Sequence, residues 1–300
     1  MTQHRTPGLI IAALLLTATA ATLVAQQLQW RAVPSEGSWR LAAAEVARDA
    51  DPETDAFLVD PPWDSRPRVH LGDLPYVAAT DVTWFDLDPY QRAWLLTETD
   101  RLDHALRRLP APWTVDRATP TGDVTVLALT RGEDTTRWDA LRALEQATVT
   151  RVYANRSEVC DRFSRGERPA WRCKRRDPFL YVGETLQLVT NEPHRCLWAM
   201  PIDEGGELRI AWEGVPLQGT LSGRFGQTFD AVRSSRGAPI EFIVRADDEL
   251  IWEATLGHHD EGFLPFEVAL PPGKDTGRLT FSVHSDDQLD RMFCFVARIH

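Results

Sequence analysis

The sequence predicts an α+β protein of two domains, a small α/β layer followed by an antiparallel β-sandwich. Three observations carry that expectation. Between Phe179 and His300 short segments alternate apolar and polar residues; between residues 36 and 155 apolar runs alternate with helix-forming stretches; and cysteines stand near both ends of the first of these regions, at Cys196 and Cys294.

The sandwich strands are legible from a period of two. Leu208, Ile210 and Trp212 alternate with Arg209, Ala211 and Glu213, and Leu279, Phe281 and Val283 alternate with Arg278, Thr280 and Ser282. Each segment therefore offers one face to a core and one to water. Ile240, Phe242 and Val244 repeat the pattern, and Leu250, Trp252 and Leu256 answer it across Asp247-Asp248-Glu249, which reads as a hairpin. The final segment, residues 291 to 300, is apolar on both faces, with Phe293, Phe295 and Ile299 on one and Met292, Cys294 and Val296 on the other. Such a strand is expected to be buried on both sides.

In the first domain, Ser38 to Ala50 has helix-forming composition and stops at Asp51-Pro52. Ala56 to Val59 reads as a short buried strand halted by Pro61-Pro62, Arg92 to Thr97 as a second strand, and Arg101 to Leu109 as a helix stopped by Pro110. Val124 to Leu129 reads as a third strand and Thr136 to Thr148 as a helix. The alternation predicts a small parallel layer over residues 36–155. No GxGxxG follows any of these strands, which argues against a dinucleotide site. Residues 156–178 read as a basic, disulfide-closed connection bearing Arg162, Arg165, Arg168, Arg172, Lys174, Arg175 and Arg176. That run is either a solvated connection or a surface for an anionic partner such as lipid headgroups or a phosphorylated glycan. The sandwich then fills residues 179–300.

Composition bounds the function classes. In 300 residues, 43% hydrophobic content is enough for a real core, and a net charge of −11 argues against a general nucleic-acid binder. Residues 1–7, with Arg5, precede an uncharged apolar run from Gly8 to Ala25, which reads as a signal anchor or a signal peptide. Either reading places the remainder outside the cytoplasm, in the periplasm or at the cell surface, and the anchor reading tethers it to the inner membrane. Four cysteines in an exported chain read as two disulfides with three possible connectivities. We expect Cys160 with Cys173 and Cys196 with Cys294, the second constraining the unfolded chain by ~4 kcal/mol.

No catalytic set emerges. Asp60-Pro61-Pro62-Trp63 resembles the catalytic loop of adenine-N6 methyltransferases, but no glycine-rich methyl-donor loop accompanies it. It reads instead as a strand end turned by two prolines, with Trp63 packed against the layer. His258-His259-Asp260-Glu261 is a polar turn whose neighbouring side chains diverge unless a loop brings them together, and Asp286, Asp287 and Asp290 lack a calcium-loop pattern, so neither a metal nor a cofactor is expected. Tryptophan faces stack on sugar rings, yet Trp212 lies at a core position of its strand. The expected ligand-binding residues are Phe225, Trp252, His258, His259 and Phe263.

Two stretches carry a family resemblance. Arg195-Cys196-Leu197-Trp198-Ala199-Met200-Pro201 with Ile210 to Gly226, and the ending Arg291-Met292-Phe293-Cys294-Phe295-Val296-Ala297, resemble the galactose-binding-like, jelly-roll sandwiches found as extracytoplasmic domains of bacterial membrane glycosyltransferases. Val59-Asp60-Pro61-Pro62-Trp63, Gly72-Asp73-Leu74-Pro75 and Arg92-Ala93-Trp94-Leu95-Leu96 resemble the α/β part that precedes that sandwich. Those enzymes have many membrane spans bearing their acidic catalytic residues; this sequence has at most one. The resemblance therefore implies the soluble module without its enzyme, a non-enzymatic anchored module that binds a glycan, glycolipid or other envelope partner. The alternatives are an assembly subunit docking on a multi-span glycosyltransferase through its doubly apolar last strand and basic connection, or an enzyme of unknown type.

Overall fold

The structure is a computed structural model that describes residues 17–19, 22, 33–79, 82–166, 168–173, 179–189, 192–202 and 206–300. Most of the apolar run 8–25, together with Lys174, Arg175 and Arg176, lies outside the described residues. Among the described residues no helix is long and apolar enough to cross a membrane.

The first part is a four-stranded sheet in the order β1-β2-β4-β3, from β1 (Asp55–Asp60), β2 (Arg92–Glu98), β3 (Trp113–Thr121) and β4 (Val124–Arg131). Helix α1 (Glu36–Asp49) starts where the Ser35 hydroxyl accepts the Ser38 N–H at 3.1 Å. Its buried residues Trp39, Ala42, Ala43 and Val46 recur at helical spacing, and this stripe covers Phe57, Val59, Trp94 and Leu96 on one sheet face. The short helices are α2 (Arg66–His70), α3 (Trp84–Leu87) and α4 (Leu102–Arg107). Residues of the last two, Leu87 and Ala105, join Val82 and Trp113 over Ala56, Leu58, Ala93 and Leu95 on the other face. Burial on both faces explains the unbroken apolar runs of β1 and β2.

The layer is not parallel throughout. Only β1 and β2 run parallel here; β4 is antiparallel to both of its neighbours. Between β3 and β4 the reason is the turn at Gly122-Asp123, where Gly122 takes a φ of 79° and joins the strands too tightly for a crossover. Strand β3 escapes sequence reading because its residues are mostly exposed and polar and it carries Pro120, as an edge strand can.

The expected helix 136–148 does not form either. It is replaced by β5 (Trp138–Asp139), a turn and a single 3₁₀ turn over Leu144–Gln146. Arg137 and Ala140 donate their N–H groups to Ile299 and Ala297, so the last strand supplies partners that a helix would have supplied internally.

The remaining strands build the sandwich: β6 (Thr148–Tyr153), β7 (Arg156–Val159), β8 (Asp161–Arg165), β9 (Arg168–Arg172), β10 (Tyr181–Val189), β11 (Glu192–Ala199), β12 (Glu207–Pro216), β13 (Thr220–Gln227), β14 (Ile240–Ala246), β15 (Glu249–Leu256), β16 (Leu264–Ala269), β17 (Thr276–His284) and β18 (Phe293–Ile299). One sheet runs β16-β13-β18-β11-β10-β9-β8 with β5 against β18; the other runs β15-β14-β17-β12-β6-β7. Helix α5 (Phe229–Arg233) follows β13. The expected core positions meet across β12 and β17, with Leu208 opposite Val283, Ile210 opposite Phe281 and Trp212 opposite Leu279. The β14–β15 hairpin turns at Asp247 and Asp248, both at positive φ, and the Asp247 carboxylate accepts the Arg278 N–H at 2.8 Å.

Residues 138–155, read from sequence with the α/β layer, thus hydrogen-bond into the sandwich: β6 pairs with β12. The basic connection is also built from strands, with β7 extending one sheet and β8 and β9 the other. Both expected disulfides are present, with Cα atoms 4.5 Å apart for Cys160–Cys173 and 5.8 Å apart for Cys196–Cys294. The second joins neighbouring strands of one sheet, β11 and β18, instead of clamping the two sheets together. Disulfides of this kind belong to an oxidising compartment. Strand β18 is buried at every residue, and the chain itself covers both of its faces, so it is not free to dock a partner.

Candidate functional site

The expected sugar platform at the sandwich end is not assembled. Phe225, on β13, is 3% exposed and its ring lies among those of Phe242, Trp252 and Phe266. Phe263 is 1% exposed, 5.4 Å from the His194 ring. Trp198 and Trp212 are buried as well, their indole N–H groups donating to the carbonyls of Phe179 and Ala143. The segment Gly223-Arg224-Phe225-Gly226 looks like a loop in sequence, but its glycines answer to close packing inside a strand. A Cβ at Gly223 would sit 2.1 Å from the Val296 carbonyl oxygen, and one at Gly226 2.4 Å from that of Gly262.

Trp252 stays half-buried on the edge strand β15, 4.9 Å from Phe266. His258 and His259 occupy the following turn, held by Gly257 N–H donating to Asp260 at 2.6 Å and by a 3.0 Å contact from His259 Nδ1 to the Val232 carbonyl. Beneath them the fully buried Arg291 donates to the Gln227 side chain at 2.9 Å and to the Ser234 carbonyl at 3.1 Å. Burial lowers the pKa of that guanidinium against the pull of Asp290 and Asp287. Asp290 is engaged by Ser234 and Arg236, while Asp286 faces His284. Among the described residues no three His, Cys, Asp or Glu side chains gather as a metal set.

At the end of β1, Asp60 is buried and paired with Arg101 at 3.0 Å, and it accepts from the Thr97 hydroxyl at 3.3 Å. Trp63 is 76% exposed instead of packed on the layer, with the Arg101 guanidinium 5.7 Å from its ring.

An open pocket of about 280 Å³ lies where the α/β part meets the sandwich, lined by Phe85, Asp88, Pro89, Leu141, Arg142, Arg168 and Arg195. Helix α3 positions it. Thr83 and Asp86 cap one another, the Asp86 carboxylate accepting Thr83 N–H at 2.9 Å and Thr83 Oγ1 at 2.8 Å. The same carboxylate reaches β11, accepting Arg195 N–H at 2.8 Å and contacting His194 Nδ1 at 3.2 Å. Trp84 donates to Asp139 at 3.0 Å and, with Phe85, packs into the sandwich core. Burial raises the Asp139 pKa, opposed by that indole and by the Arg142 and Leu141 N–H groups.

Three guanidiniums on the rim are held by carboxylates. Arg142 donates to Asp88 at 2.7 Å and to Asp134 at 3.1 Å. Burial would lower the Arg142 pKa, but these two carboxylates raise it well above its ordinary value. Burial opposes the same trend at Asp134, where hydrogen bonds from Thr136 and Arg142 hold the carboxyl far below the usual range. Arg195 pairs with Glu184 and stacks 4.7 Å from the centre of the Phe85 ring. Arg168 approaches the same glutamate at 3.4 Å. The pocket therefore sets three carboxylate-paired guanidiniums beside Phe85, Pro89 and Leu141.

Sequence reading counted Arg168 within a charge run and gave Asp88 and Arg142 no role. The Thr83-Trp84-Phe85-Asp86 capping pattern was the one local signal for this junction. Replacing Asp86 by alanine should strip the acceptor from four donors at once and destabilise the protein by roughly 3 kcal/mol. Denaturant midpoints would show it, and a change within 0.5 kcal/mol, the range about usual for surface sites, would contradict this view of the junction.

No protein-family profile and no curated protein matches the chain. Among solved structures it is similar to a CBM51 module from Clostridium perfringens GH95 in complex with methyl-galactose, at 16% identity and a TM-score of 0.26, covering 38% of this chain and 79% of that one. It is similar also to the CBM51-2 and INT domains of Clostridium perfringens ZmpB, at 9% identity and a TM-score of 0.30, where it spans 62% of this chain and 40% of the other. A third likeness is to carbohydrate-binding modules from the β-sandwich superfamily, at 12% identity and a TM-score of 0.30, over 59% of this chain and 67% of that one. Scores this low assign neither a family nor a ligand.

Proposed function

We propose that the chain is a non-enzymatic extracytoplasmic module, tethered through residues 8–25, that holds an acidic glycan of the cell envelope in the junction pocket. The observation that carries this reading is the convergence of Arg142, Arg168 and Arg195 around the Phe85, Pro89 and Leu141 floor in a pocket of about 280 Å³. A pyranose ring fits against Pro89 and the Arg195 guanidinium that covers the Phe85 ring, and its carboxylate meets Arg142 and Arg168. Binding without transformation follows from the lining. Its carboxylate, Asp88, is clamped by Arg131 at 2.9 Å and Arg142 at 2.7 Å and has no free role as a base. The turn at His258 and His259 beside Trp252 is the subsidiary place for a sugar, because these side chains keep some exposure while Phe225 and Phe263 do not.

The test is binding of the full-length chain to an array of neutral and uronic-acid oligosaccharides, followed by calorimetry on the hits. Saturable binding of acidic sugars should weaken about tenfold or more in Arg195→Ala, the loss of the guanidinium against which the ring lies. It should be unchanged in His258→Ala. Equal binding of neutral and acidic sugars, or binding untouched by Arg195→Ala, would remove the junction pocket from the reading. The assembly-subunit alternative keeps only the basic connection of its two expected docking surfaces, since β18 is covered on both faces.

A further inference from the structure

We infer that the outer face of the second sheet carries a separate site for a tetrahedral oxyanion, a sulfate or phosphate group, gripped by Arg209, Arg245 and Arg278. Their strands are neighbours, in the order β14-β17-β12. Arg245 lies opposite Thr280, Arg209 lies opposite Ser282, and Arg278 is two residues before Thr280 on the same face. The three positions are staggered along the strands, Arg209 level with residue 282, Arg245 with 280 and Arg278 at 278, and their long side chains line one pocket. They enclose a pocket of about 200 Å³ with Asp248 and Thr280.

The floor of this pocket is unusual for an outward sheet face. Ser282 is 0% exposed and Thr280 6%, on the side of β17 turned away from the core residues Leu279, Phe281 and Val283. Something must cover them, and the arginine stems do: Arg245 Nη1 donates to Ser282 Oγ at 3.3 Å. The guanidinium heads are left around the cavity with donors to spare. Each has five N–H groups. Arg209 spends Nη2 on Glu207 at 2.7 Å, Arg245 reaches the same glutamate at 3.4 Å, and Arg278 Nε meets Glu213, itself largely exposed, at 3.3 Å. Arg209 Nε is buried with no hydrogen-bond partner among the described residues.

Three cations stand against Glu207, Glu213 and Asp248, so the site has no net positive charge, on a chain whose net charge is −11. Long-range attraction therefore does not gather anions here; the site depends on short-range donors. A planar carboxylate is satisfied by one guanidinium fork, whereas donors arriving from three strands match an oxyanion with oxygens in several directions. The bound group is either a free inorganic ion or an ester on a sugar.

Equilibrium dialysis of the full-length chain against radiolabelled inorganic sulfate and phosphate tests this. We expect saturable binding of one equivalent, weakened at least tenfold by Arg278→Ala and by Arg245→Ala, with no change in Arg48→Ala on the exposed side of α1. Arg278 is exposed, so its variant should fold normally, and circular dichroism would verify that. Competition by a sulfated or phosphorylated oligosaccharide at lower concentration than the inorganic ion would make the ester the ligand, and equal competition would make it the free ion. Absence of saturable binding, or binding indifferent to both variants, would overturn the site. Failure of Arg195→Ala to affect acidic-sugar binding would leave this inference standing, because it concerns the opposite sheet.

Discussion

Phe242→Ala is expected to lower the free energy of unfolding by about 3–5 kcal/mol, the range found when a buried phenylalanine is truncated. Phe242 is fully buried on β14, and its ring lies 5.0 Å from both Phe293 and Phe295 and 5.9 Å from Phe281. The first two belong to one sheet, and Phe281 and Phe242 to the other. Removing the ring opens a cavity where the two sheets meet, and surrounding aromatics are too rigid to fill it. Urea denaturation would measure the loss, and Phe242→Leu should recover much of it. A loss below about 1.5 kcal/mol, typical of tolerated hydrophobic swaps, would mean that the sheets pack less closely than the ring contacts indicate.

The second large effect concerns the cross-links. The double variant Cys196→Ala, Cys294→Ala should lose about 4–5 kcal/mol, because that bond closes a segment of 98 residues in the unfolded chain. Cys160→Ala with Cys173→Ala, which frees only 13 residues, should lose about 3 kcal/mol. The ranking is the sharper test. Denaturant midpoints that put the short loop first would show that something other than chain entropy, such as the seating of β8 and β9, dominates at Cys160 and Cys173.

The strand positions of the sandwich core were legible because a period of two admits one assignment of faces. Once Leu208, Ile210 and Trp212 face inward, Arg209 and Ala211 must face out, while the register opposite Val283, Phe281 and Leu279 belongs to the folded sheet. The double burial of β18 was legible for the same reason, since both of its faces are apolar. Residues 136–148 were not. Their helical composition is a weak preference, and hydrogen bonds from Arg137 and Ala140 to a strand some 160 residues away override it.

The functional residues divide along the same line. Phe225 and Phe263 are buried in the folded chain, and the close approach of the Val296 and Gly262 carbonyls to Gly223 and Gly226 that holds β13 in place has no local sequence signature. The junction pocket draws Asp88, Arg142, Arg168 and Arg195 from four separate stretches, and the outer-face site draws three arginines from three strands. No local pattern links such residues.

By itself the sequence determined the class of the fold and the inward positions of its clearest strands, because alternation and apolar content are properties of neighbouring residues; it left three cysteine pairings open, and the folded chain selects one. Tertiary structure alone decided the direction of β4, the incorporation of residues 138–172 into the sandwich sheets, and the two places where guanidiniums converge. Those depend on which distant backbone and carboxylate groups come within hydrogen-bonding reach, a distance that exists only after the chain has folded.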